Sequence, residues 1–88
     1  MEPVVWAYGA YGEPERPRSV CWHVTSPLDL MERVMRSTYC RRIHTLMVRQ
    51  WDMVALELHD RAEVKVATPG DPDSIEAACA ELFSRVSD

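Results

Sequence analysis

Residues 54–86, VALELHDRAEVKVATPGDPDSIEAACAELFSRV, decide the fold class, because midway through them the apolar side chains change from alternation to helical spacing. Val54, Leu56 and Leu58 alternate with Ala55, Glu57 and His59, and Val64, Val66 and Thr68 alternate with Glu63, Lys65 and Ala67, the pattern of a sheet wetted on one side. A turn at Asp60-Arg61-Ala62 sets Leu58 opposite Val64, Leu56 opposite Val66 and Glu57 opposite Lys65. Pro69-Gly70 then closes the hairpin. Asp71-Pro72 opens a helix over 71–86, a capping carboxylate followed by a proline whose missing N–H is not needed there. Ile75, Ala78, Cys79, Leu82, Phe83 and Val86 form its apolar stripe, with Glu76, Glu81 and Arg85 outside.

The same start chemistry recurs upstream at Ser26-Pro27-Leu28-Asp29, where Leu28, Met31, Val34 and Met35 continue a helical face. Residues 43–50 read as a strand, since Ser37-Thr38-Tyr39 holds no strong helix former and a helix prolonged through it would be long for so short a chain. Pro3 to Tyr8 and Ser19 to Thr25 have the β-branched and aromatic content of strands. Between them, residues 9–18 contain two Gly and two Pro and read as a surface loop, flexible by composition. The expectation is one α+β domain over residues 1–88: about five antiparallel strands in the order β-β-α-β-β-β-α, with two helices packed on one face.

At 88 residues the chain has only a small core to stabilise it. Its net charge of −4 is uneven: residues 16–49 carry seven Arg against Asp29 and Glu32, whereas residues 50–88 carry nine acids against three bases. Three cysteines are too few for a disulfide scaffold, and no signal-like segment precedes them, so the expected setting is cytoplasmic with free thiols. No apolar run is long enough for a membrane span, and no membrane partner is expected.

Two pairs of potential zinc ligands stand out, Cys21 with His23 and Cys40 with His44. The C-x-H spacing is uncommon in structural zinc sites, no Gly-rich knuckle accompanies it, and cysteines more often pack than ligate, so no metal or cofactor is assigned. No nucleophile lies in a recognisable catalytic motif, and the carboxylates of the last third are accounted for by capping and by solvated faces, so an enzyme is not expected.

The stronger features suit docking. Arg33, Arg36, Arg41, Arg42 and Arg49 can each grip a carboxylate or phosphate, Tyr39 sits among them, and Tyr11 is flanked by glycines in a segment hard to bury. The expected function is that of a small non-enzymatic protein, bacterial or phage in character, which binds another protein as inhibitor, adaptor or subunit. The alternatives are a nucleic-acid-binding regulator using the Arg33 to Arg49 segment and a small zinc-binding domain. Ile43 and Met47 lie on one parity of their strand and Leu46 and Val48 on the other, which calls for cover on both faces. If a second copy provides it as a homodimer, Met47, Trp51 and Met53 lie at the contact.

Overall fold

The computed structural model describes residues 5–86, arranged as β1 (Val5–Glu13), β2 (Arg16–Val24), α1 (Pro27–Arg36), β3 (Thr45–Asp52), β4 (Glu57–Lys65) and α2 (Pro72–Val86). The four strands form one antiparallel sheet in the order β2-β1-β3-β4. The α+β class is therefore as the sequence implies, with four strands in place of about five.

Both helices start as their sequences dictate. Ser26 Oγ accepts a hydrogen bond from the Asp29 amide at 3.0 Å while the Asp29 carboxylate accepts one from the Thr25 amide at 3.1 Å. At α2 the Asp71 carboxylate accepts from the Ser74 amide at 3.0 Å. α1 ends at Arg36, where the Ser37 amide still bonds to the Val34 carbonyl, and turns through Thr38–Arg42 carry the chain into β3.

Alternation along the strands sorts the side chains. Val5, Ala7 and Gly9 of β1, Val24 of β2, Leu46 and Val48 of β3 and Val64 of β4 are buried beneath the helices with Leu30, Val34, Ile75 and Leu82. Burying side chains of this size is worth roughly 1.5–3 kcal/mol each. Gly9 leaves the space that the Trp22 indole fills: a Cβ there would stand 2.8 Å from Trp22 Cη2 and 3.0 Å from Ile43 Cδ1. The other face, with Trp6, Tyr8, Cys21, His23, Met47 and Arg49, has no helix over it.

Two local readings are corrected. Residues 9–18 are not a loop: β1 continues to Glu13 and β2 begins at Arg16, leaving Pro14-Glu15 as a two-residue turn, with Gly12 at φ +90° paired to Pro17. Pro17 sits on the outermost strand, where an absent ladder donor is tolerated. The start of the expected first strand, Pro3-Val4, lies outside the described residues. The second correction concerns the hairpin expected at 54–68. Asp60-Arg61-Ala62 is a bulge within one continuous β4, since Val48 pairs with Ala62 and Arg49 with Asp60. The chain reverses instead over Met53–Leu56. Asp52 Oδ1 accepts from the amides of Val54 (2.8 Å) and Ala55 (2.9 Å), and the Asp52 carbonyl accepts from the Leu56 amide at 2.8 Å. These amide donors hold the Asp52 carboxyl below its ordinary value. Val54 and Leu56 belong to an exposed turn, so their spacing does not report burial.

The turn places Leu56 at φ 56°, the left-handed region. A leucine there costs roughly 1–2 kcal/mol relative to a residue without a Cβ. Leu56→Gly is accordingly expected to stabilise the fold by up to about 1 kcal/mol after the entropic cost of glycine, read as a higher urea midpoint at constant slope; a lower midpoint would contradict this turn.

Candidate functional site

β1 delivers Tyr11 and β2 delivers Arg16 and Arg18 to the helix side of the sheet, beyond the point where α1 stops covering it; Tyr11 pairs directly with Arg18. The turn after α1 brings Tyr39 onto Tyr11. The two rings stack at 4.1 Å between centroids and 14° between planes. Arg42 joins Arg16 and Arg18 beside the stack, around a cleft of about 300 Å³ that also includes Gly12 and Glu13. Tyr39 also borders a larger groove of about 500 Å³ between α1 and β2, floored by Val20 and Trp22 and edged by Asp29, Glu32, Arg33 and Arg36. The two clefts share Tyr39, and together they run along the β2 edge.

The electrostatics of this groove differ from those of the whole chain. Arg33 is held 3.6 Å from Asp29, but Arg16, Arg18, Arg36 and Arg42 have no carboxylate within ion-pair distance among the described residues. Hydrogen bonding to Tyr39, then desolvation, pushes the Tyr11 phenol above its ordinary value, while Arg18 and Arg42 pull it down. An exposed guanidinium without a carboxylate partner retains all its donors for an incoming anion.

Of the residues singled out from sequence, Tyr11, Arg33, Arg36, Tyr39 and Arg42 thus meet around one groove. Arg41 and Arg49 do not. Arg41 packs against Gly70, where a Cβ would come within 3.2 Å of Arg41 Cα. Arg49 lies on the uncovered face of the sheet, 4.5 Å above the Tyr8 ring, with its Nε donating to Asp60 at 2.8 Å. On that same face burial, followed by Cys21, raises the Tyr8 phenol while Arg49 opposes the shift. Arg16, Arg18, Val20 and Trp22 were missed as site residues. Setting Arg18 opposite Tyr11 requires the tight turn at Pro14-Glu15, and a long loop there hides it.

The four potential zinc ligands are dispersed. Cys21 and His23 share the uncovered face, where His23 meets the edge of Trp6, whereas Cys40 packs against the core and the His44 ring bonds to Thr45 Oγ1 at 2.8 Å. Among the described residues no three His, Cys, Asp or Glu side chains converge as a metal site would need. The Cys79 thiol lies within the core, and burial pushes it up to about 12. Met47 and Trp51 are on the uncovered face, and Met53 lies beyond them on the β3–β4 turn. No helix among the described residues is long and apolar enough to cross a membrane.

Neither protein-family models, nor curated proteins, nor solved structures yield a match to this chain.

If the Tyr11–Tyr39 contact has the geometry described, Tyr39→Phe removes the hydrogen bond that raises the Tyr11 phenol and leaves Arg18 and Arg42 in place. An ultraviolet phenolate titration is expected to show one tyrosine titrating at lower pH than in the parent; an unchanged curve would contradict the contact.

Proposed function

We propose that this chain is a non-enzymatic binding protein that captures an acidic, partly apolar segment of another protein in the groove between α1 and β2. The observation that carries the reading is the set of four arginines without carboxylate partners, Arg16, Arg18, Arg36 and Arg42, around a stacked tyrosine pair and an apolar floor. Guanidinium forks take carboxylates bidentately, the tyrosines offer broad contact area at small entropic cost, and Val20 with Trp22 accept apolar side chains. Such a protein acts as inhibitor, adaptor or subunit by occupying its partner's segment. The acidic balance of the chain favours a protein ligand over a polyanion: at −4 the surface as a whole repels nucleic acid, and the groove itself includes Glu13, Asp29 and Glu32. Self-association is a further part of the reading, supported by the exposed Trp6 and Trp51 and the half-buried Met47 on a sheet face without a helix layer.

Calorimetric titration with a synthetic peptide of alternating Glu and Leu tests the groove. Binding is expected at low salt and to weaken as salt screens it. Arg18→Glu and Arg42→Glu are each expected to weaken binding by about tenfold or more, whereas Arg61→Glu, on β4 and away from the groove, leaves it unchanged. A peptide that fails to bind, or binds all three variants alike, would overturn the reading. A mixed-sequence oligonucleotide that binds where the peptide does not would assign the groove to nucleic acid instead.

A further inference from the structure

At the far end of the sheet the β3–β4 turn presents an apolar tip. Met53 is 76% exposed, Val54 94% and Leu56 68%, with Trp51 and Leu58 half exposed behind them. Isolated apolar residues on a surface need no explanation, but five large ones within residues 51–58 form a patch. The tip is also pre-organised: Asp52 holds the Val54 and Ala55 amides, so little ordering remains to be done on docking. Leu56 occupies a left-handed position that the turn itself would fill better with glycine. An unfavourable backbone state carrying an exposed leucine points to a use for that side chain.

The charges beside the tip select its occupant. Asp52 and Glu57 flank the turn, with His59 Nε2 between them at 3.4 and 3.3 Å, and Arg61 lines the cleft behind. Two tips meeting about a twofold axis would bring the Asp52 and Glu57 pairs of both copies together, which is repulsive. An anionic lipid surface is disfavoured for the same reason. The complement, an apolar floor with an arginine rim, exists on the chain itself. It lies at the other end of the sheet: Ala10 pairs with Thr45 near the β1–β2 turn, and Trp6 pairs with Arg49 toward the β3–β4 turn, while β2 and β4 are opposite edges. We propose that the Met53–Leu56 turn of one copy docks in the α1–β2 groove of a second, its apolar side chains on Val20 and Trp22, and Asp52 and Glu57 facing Arg18 and Arg36. This rests on the groove being a receptor for acidic apolar segments. Because tip and groove are different surfaces at opposite ends, the contact is head-to-tail and each docked copy leaves one free tip and one free groove, the geometry of rings or growing chains rather than of a closed pair. Self-docking also occupies the receptor, so an acidic partner competes with assembly and disperses it.

Sedimentation velocity across the micromolar range tests this with two variants, Val54→Asp at the tip and Arg18→Glu/Arg36→Glu in the groove. The wild type is expected to exceed dimer mass as concentration rises, and to dissociate in high salt or on addition of the Glu-Leu peptide. Each variant alone is expected to stay monomeric, and an equimolar mixture to form a heterodimer and nothing larger, since only one intact tip and one intact groove remain. Leu56→Gly, which keeps the turn, is expected to raise stability while weakening association several-fold. A wild type that stays monomeric while binding the peptide overturns head-to-tail docking and spares the groove reading; monomer without peptide binding overturns both. A dimer persisting in both variants, association undiminished in Leu56→Gly, or folded variants that do not pair when mixed would each overturn the docking.

Discussion

Two helices can cover only part of this sheet, and the rest of the structure follows from where the cover ends. α1, with 10 residues, is about 15 Å long, whereas β2, with 9 residues, extends about 30 Å. The helix protects the Val24 end of β2 and leaves the Arg16 end to the turns after Arg36. Those turns bring Tyr39 onto Tyr11, and the space between helix end and strand becomes the groove. Gly9 extends the same logic inward: without a Cβ it admits the Trp22 indole against Ile43, so a single side chain packs against the core and floors the groove.

An acidic chain thus carries a locally cationic surface. The separation depends on fold and sequence together, because Arg16 and Arg18 come from a strand, Arg33 and Arg36 from a helix and Arg42 from the turns between helix and strand. Arg49, equally prominent in the sequence, is neutralised by Asp60 and lies on Tyr8 across the sheet. Exposed ion pairs of this kind contribute little to stability, yet they decide which cations remain available.

Much of the fold was legible where a local interaction acts alone. Ser26-Pro27 and Asp71-Pro72 announce helix starts by capping chemistry, and the observed strand Thr45–Asp52 overlaps the expected 43–50. Legibility failed where composition and pairing compete. Gly9, Gly12, Pro14 and Pro17 resemble a loop until cross-strand pairing is considered, and then Gly12 and the Pro14-Glu15 turn are what a tight hairpin needs. Between Val54 and Leu58, alternation suggested a half-buried strand, but the donors captured by Asp52 place the reversal there and leave the apolar side chains exposed. For the site, the Arg and Tyr residues flanking the end of α1 could be found by inspection. Their partners on β2 could not, since that needs a register which only the hairpin turn fixes.

The claim that the end of α1 creates the binding surface is most directly tested by mapping amide chemical-shift changes in the labelled protein as the Glu-Leu peptide is added. The account predicts shifts concentrated in residues 11–22 and 33–42, on both walls of the groove. Shifts concentrated instead at Trp6, Tyr8, Met47 and Arg49 on the uncovered face, with the groove amides unmoved, would contradict it.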